Sequence, residues 1–237
     1  MLKAIIRSIL RPSLLPVLLA CGTLSLLTLS VRPLARSLFQ DSAVVFGARP
    51  PAFIPSVVSA AQASFHEIEF ANSLEADRCS SVSVGPHVLL TASHCLLSDA
   101  VVAVDGEQVN VRDLETDRND HALLWVDITF PTWLPVVEHG LETANGDTLV
   151  MAVGRPAGSP YPITRFGRFD ATVVEEDPDG QSRPEEWFAL HAEHGDSGAG
   201  IVDIHGDIVG LITGGADREG CFSFDLNFSK EVLGRLN

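Results

Sequence analysis

From about Ser56 onward the chain is written in short apolar or alternating runs, each bounded by glycine, proline or aspartate, and this spacing constrains the fold more than any other feature. Runs that read as strands are Ser81–Val84, Val88–Thr91, Val101–Val104, Gln108–Val111, Ala122–Val126, Thr148–Val153, Ala171–Val174, Trp187–Leu190, Gly200–Asp203, Asp207–Thr213 and Cys221–Asp225. They are too short for helices that bury one stripe. Turn chemistry agrees: Gly85-Pro86 separates the first pair, Asp105-Gly106 suits a hairpin needing positive φ, and His205-Gly206 precedes the run at Ile208. The expectation is an all-β barrel or sandwich. Only Ser229–Leu236 reads as a helix, with Ser229 as cap and Val232, Leu233 and Leu236 on one face. The segment Val137–Asn145 is placed to link two halves of similar size.

Ahead of this body the chemistry changes. Lys3, Arg7 and Arg11 precede 20 uncharged residues, Pro12–Val31, which as a helix would span a hydrocarbon layer of about 30 Å. Residues 1–36 therefore read as a signal peptide or membrane anchor, a hydrophobic helix in either case. Three fates stay open: an uncleaved anchor, a cleaved signal, or lipidation at Cys21 in Leu18-Leu19-Ala20-Cys21. All three put the body outside the cytoplasm, secreted, periplasmic or membrane-anchored through residues 12–31. Residues 37–55, with Arg49-Pro50-Pro51 and Pro55, read as a linker. Residues 56–237 form the body. The first 37 residues hold five basic side chains and no acid, so the remainder carries a formal charge of −20 against −15 for the whole. A surface that acidic repels phosphate backbones, so nucleic acid is not an expected partner.

Three stretches carry chemistry. In Gly195-Asp196-Ser197-Gly198-Ala199-Gly200 a serine is flanked by residues small enough for backbone amides to approach a reacting carbonyl. The amides of Gly195 and Ser197 suit an oxyanion hole. In Thr91-Ala92-Ser93-His94-Cys95 a histidine ends a strand beside Cys95, with Cys79 sixteen positions earlier across a hairpin. A disulfide there would fix the backbone of that base, and the extracytoplasmic setting permits it. In Asp120-His121-Ala122-Leu123-Leu124 an acid enters an apolar strand. Asp117 is the competing acid, and the Ala-Leu-Leu run selects Asp120.

Taken in order, Thr-Ala-Ser-His-Cys, Asp-x-Ala-Leu-Leu and Gly-Asp-Ser-Gly resemble the chymotrypsin/trypsin-like serine peptidases over about Ser56–Asn237. The order His, Asp, Ser separates the chain from α/β-hydrolases, whose acid and histidine follow the serine, and position 199 is Ala where a Gly-x-Ser-x-Gly elbow needs glycine. The resemblance implies two antiparallel six-stranded β-barrels of the chymotrypsin kind, about 56–138 and 145–228, and a short C-terminal helix. It implies a serine endopeptidase acting on protein or peptide substrates through an acyl-enzyme, with no cofactor. Ser197 would be the nucleophile, His94 its general base, Asp120 the group orienting that base, and Cys79–Cys95 the disulfide beside the histidine. Thr213, Gly214 and Gly215 would line the substrate's main chain, and His191 would sit at the base of the specificity pocket. A catalytically silent binding module of the same fold is the alternative; it would be expected to lack a member of the triad.

The chain departs from the family in three places. Glu193 stands where many animal members have a cysteine, leaving Cys221 without that partner as a free thiol or small buried hydrophobe. Gly214 replaces the usual aromatic. No Arg-Ile-Val-Gly-Gly-type activation site occurs, so Asp196 is expected to make local hydrogen bonds rather than pair with a freed N-terminus. His191, with His194 near the mouth, either favours acidic side chains or is a hydrogen-bonded structural residue. No metal is expected: His191, His194 and His205 lack the spacing of a zinc set, and Glu175–Gly180 lacks that of an EF-hand.

Overall fold

The computed structural model describes residues 44–46, 52–137, 148–176, 182–216, 222–226 and 230–236, within a compact unit spanning Ala43–Asn237. The signal or anchor segment, most of the 37–55 stretch, the link after Val137, Asp177–Gly180 and Cys221 lie outside the described residues.

The strands are β1 (Val44–Phe46), β2 (Phe65–Ala71), β3 (Ala76–Gly85), β4 (Val88–Ala92), β5 (Val101–Val104), β6 (Glu107–Val109), β7 (Val111–Thr116), β8 (His121–Val126), β9 (Leu149–Gly154), β10 (Ile163–Glu176), β11 (Ser182–Ala189), β12 (Gly200–Asp203), β13 (Ile208–Leu211), β14 (Gly214–Ala216) and β15 (Phe222–Leu226). They form two curled sheets. The first runs β6-β5-β2-β3-β4-β8-β7 and the second β13-β12-β9-β10-β11-β15-β14. Two helices flank them, α1 (Pro55–Ser64) and α2 (Lys230–Leu236).

The two-sheet β architecture agrees with expectation, whereas the strand count does not. Among the described residues the sheets hold seven and eight strands instead of six each. Asn110 splits the expected Gln108–Val111 strand, because its N–H and Nδ2 both turn to the Asp127 carboxylate, at 3.0 and 2.5 Å, and leave the ladder. In the second sheet β1 adds a parallel pairing to β10, in register from Val44↔Ile163 to Phe46↔Arg165, so the sheets are not wholly antiparallel.

A second correction concerns α1, where no helix is expected. Proline in the first turn has φ already set for a helix. Val57, Val58, Ala61 and Ser64 then share the buried face, and the Ser64 hydroxyl donates to the Ala60 carbonyl at 2.8 Å. Four small or medium residues make a weak stripe, and a proline-rich approach obscures it.

Packing explains why some strands read as unbroken apolar runs. In β8, Ala122 and Leu124 point into the core of the first sheet with Ile68, Phe70 and Leu89, while Leu123 points the other way. In β9, Val150 and Ala152 face Phe188 and Ile201, while Met151 and Val153 turn to meet Leu123. The shared layer, which also buries Phe53, Val57 and Val232, fastens one sheet to the other. A strand covered on both faces needs apolar residues at every position. By contrast β2 alternates, burying His66, Ile68 and Phe70 and turning Glu67 and Glu69 outward.

The Cys79–Cys95 disulfide joins β3 to the turn after β4, with both residues buried. Replacing both cysteines by serine is expected to lower unfolding free energy by about 3 kcal/mol, given the size of the closed loop. Denaturant melts of the oxidised protein and the variant would measure this, and matching midpoints would refute it.

Candidate active site

Strand register brings His94 and Asp120 together. β4 and β8 pair antiparallel down to Ala92↔His121, so the next residue on each side, Ser93 and Asp120, face each other as the strands end. The Ser93 N–H donates to the Asp120 carbonyl at 2.8 Å. A short 3₁₀ turn, Ser93–Cys95, then lifts His94 out of the sheet. Asp120 adopts φ +65°, a left-handed conformation that aspartate tolerates better than most residues, and its carboxylate folds back over this turn. Oδ1 accepts the Ser93 hydroxyl and the His94 backbone N–H, each at 2.8 Å, and Oδ2 meets His94 Nδ1 at 2.5 Å. Asp117 is engaged elsewhere, pairing with the buried ring of His121 at 2.9 Å. Of the two acids, Asp120 is the one that reaches His94.

These contacts set the charges. The Asp120 hydrogen bond raises the His94 pKa above its ordinary 6.5 against the opposing effect of burial. Burial pushes Asp120 up, but the bonds from His94 and Ser93 outweigh it and hold the carboxylate below its usual range. With Nδ1 occupied by the carboxylate, Nε2 is the ring nitrogen left for proton traffic.

Ser197 stands in the segment between β11 and β12, at the end of a tight turn. The Asp196 N–H donates to the Glu193 carbonyl at 3.0 Å, and Gly195, third in that turn, has φ +93°. This is a type II turn, which needs positive φ at the third position. The carbonyl of its central peptide, His194, accepts the Ala157 N–H at 2.6 Å, so the Gly195 N–H at the other side of that peptide points away from Ala157. Among the described residues the amides of Gly195 and Ser197 have no protein acceptor. The next residue, Gly198 (φ +85°), lies so close to the first sheet that a Cβ there would sit 2.3 Å from Thr91 Oγ1 and 2.9 Å from Ala92 N. Ser197 is thus held beside the strand end that carries His94. No hydrogen bond joins the Ser197 hydroxyl to His94; in serine hydrolases such contacts commonly tighten only around substrate.

The remaining candidates fall around this turn. The Ile212 carbonyl accepts the Gly198 N–H at 2.7 Å, which places Thr213 and β14, with Gly214 and Gly215, directly beyond the serine. β14 ends the order of its sheet, leaving one edge unpaired among the described strands. His191 Nε2 pairs with Glu193 Oε1 at 2.6 Å. Among the described residues no three His, Cys, Asp or Glu side chains converge as metal ligands would.

Asp196 makes the local bond expected of it and one contact more. It does bond locally, accepting the Glu193 N–H at 2.9 Å, but its principal charge partner is distant in sequence: Arg165 Nη1 on β10 lies 2.9 Å from Oδ2, with side-chain exposures of 3% and 0%. The arginine makes this approach without hydrogen-bond alignment. Burial is the larger influence on Asp196 and raises its pKa in spite of Arg165. Nothing in a strand reading Ile-Thr-Arg-Phe announces an inward arginine. Ser93 was equally silent, one serine among several. Because removing one partner of a buried pair strands the other charge, Arg165→Met is expected to cost about 3–5 kcal/mol, and Arg165→Met with Asp196→Asn markedly less. Chemical denaturation of both variants would decide it; equal losses would mean that the pair is not coupled.

Comparison with known proteins bears on the family and the fold. Residues 79–211, more than half of the chain, match the family model described as the trypsin-like peptidase domain. A comparison with curated protein sequences finds no match. Similar solved structures include the active form of the Rv3671c protease from M. tuberculosis (22% identity, 82% of this chain and 93% of that one, TM-score 0.63). Others are a serine endoprotease from Yersinia pestis (20%, 80% and 68%, 0.61) and the HtrA-type protease AlgW with a tripeptide (19%, 78% and 62%, 0.61). At these identities they speak to the fold, shared over 78–82% of this chain. With its two curled sheets and the family match across both, the chain belongs to the trypsin-like peptidases and is a serine-type endopeptidase.

Proposed function

We propose that the chain hydrolyses peptide bonds through an acyl-enzyme, with Ser197 as nucleophile, His94 as general base and Asp120 as the residue orienting it. One observation carries this reading: the 2.5 Å contact of His94 Nδ1 with Asp120 Oδ2, made beside a serine turn whose two amides lack acceptors. Asp120 selects the imidazole tautomer with its proton on Nδ1 and stabilises the imidazolium that follows.

In the forward step Nε2 of His94 takes the Ser197 hydroxyl proton as Oγ attacks the scissile carbonyl. The developing oxyanion is received by the N–H groups of Gly195 and Ser197, preorganised donors that need not reorient. Collapse expels the amine, which takes the proton from His94, and water repeats the sequence on the acyl-enzyme. Substrate backbone would pair as an added strand along the segment Thr213, Gly214 and Gly215, where β14 ends its sheet. At the pocket base, Glu193 already supplies an anion to His191, which speaks against selection of acidic side chains. The body's place outside the cytoplasm, secreted or held by residues 12–31, is part of the same proposal. It is supported by the basic-then-apolar N-terminal segment and by the disulfide.

A fluorophosphonate probe is expected to label the wild type and not Ser197→Ala; an unlabelled, folded wild type would sink the proposal. Below its pKa, His94 is protonated and cannot accept the serine proton, so kcat/KM should fall as pH drops, with an inflection above 6.5 because Asp120 raises that pKa. In Asp120→Asn the inflection should move down and kcat should fall by about 10⁴-fold. A pH–rate profile with its acid limb unmoved in that variant would contradict the assignment.

A further inference from the structure

Resting on the triad assignment above, we infer that Ser80, on β3 of the first sheet, is a positioning residue that holds the oxyanion turn of the second sheet in its receptive conformation. Its side chain is fully buried, and each of its polar groups is committed. The Ser80 N–H donates to the Ser197 carbonyl at 2.8 Å. The hydroxyl donates to the Gly195 carbonyl at 2.7 Å and accepts the Arg155 N–H at 3.1 Å. The Ser80 carbonyl accepts the Thr91 hydroxyl at 2.8 Å. One residue therefore grips the carbonyl of Gly195, inside the turn, and that of Ser197, just after it, the two residues whose amides are the proposed donors.

The geometry explains why the hydroxyl matters. Conversion of a type II turn to type I flips its central peptide and turns that peptide's N–H to the opposite side. Here the central peptide is His194–Gly195. Its carbonyl is tied to Ala157, and Arg155, two residues before Ala157, is tied to the Ser80 hydroxyl. The same hydroxyl pins the next peptide through the Gly195 carbonyl. Ser80 thus closes a ring of hydrogen bonds, Ser80–Arg155 and Ala157–His194–Gly195–Ser80, around the peptide that would have to rotate. A cross-brace from Arg155 to Glu67 on β2 links the same segment to the first sheet. Ser80 also follows Cys79, so the disulfide that clamps the His94 turn anchors this brace as well.

Ser80→Ala deletes the hydroxyl and leaves the backbone bond to Ser197, whereas Ser80→Thr keeps the hydroxyl. For a peptide substrate, Ser80→Ala is expected to lower kcat by about 10–100-fold with KM within about threefold, and to weaken inhibition by a peptide boronic acid by the same factor as kcat. Ser80→Thr should recover most of kcat. Should either variant fail to fold, hydrogen exchange on the ligand-free wild type gives the answer: slow exchange at the Asp196, Gly198 and Ala199 amides supports a turn held before substrate arrives, and fast exchange there overturns it. An unchanged kcat in Ser80→Ala, or a fall with no matching loss of boronic acid affinity, also overturns the role of Ser80. Those failures are distinct from that of the triad itself, which is read from fluorophosphonate labelling of the wild type.

Discussion

The arrangement around Ser197 depends on one close approach, that of the Gly198 backbone to Ser80, Thr91 and Ala92 of the other sheet. A Cβ at Gly198 would lie 2.2 Å from the Ser80 carbonyl oxygen, so only glycine fits and the positive φ is available to it at low cost. From that contact the rest follows. The Ser197 carbonyl reaches the Ser80 N–H, the Gly198 N–H reaches Ile212, and the serine is delivered to the strand end from which His94 projects. Two sheets that merely packed through side chains would tolerate sliding by fractions of an ångström. Backbone hydrogen bonds across the junction do not.

Behind this junction lies a division of labour between apolar and polar contacts. The layer of Val82, Leu90 and Leu123 against Met151, Val153 and Leu211 supplies the association without direction. Direction comes from buried polar contacts across the junction: the Ser80 N–H to the Ser197 carbonyl, and the Ser80 hydroxyl to the Gly195 carbonyl and the Arg155 N–H. These groups are costly to bury alone and are satisfied only when the sheets are docked in this way. Such a network contributes little net stability and much specificity of arrangement, which is what a site spread over two sheets requires.

Much of this was legible along the chain, for reasons that can be stated residue by residue. Turn pairs such as Asp105-Gly106 marked strand ends because they supply unusual φ values locally; Asp105 does adopt φ +52°. The apolar run after Asp120 selected it over Asp117, since strand register places Asp120 opposite Ser93. What escaped notice lacked a local signature. The helix over residues 55–64 carries no such signature, because it is stabilised by burial against the shared layer and not by propensity or caps. β2 was missed although Phe65–Ala71 alternates cleanly, the two glutamates diluting its apolar character.

The sequence by itself determined the β-rich class and the order of the reactive stretches, because periodicity, turn residues and short motifs are properties of neighbours in the chain. Only the tertiary structure decided that Asp196 is held by Arg165, that Ser80 braces the turn at Gly195 and Ser197, and that the sheets carry seven and eight strands. Those outcomes depend on which distant groups are desolvated together. The energy of a buried charge or hydrogen bond is set by its partner across space, and adjacency along the chain carries no record of it.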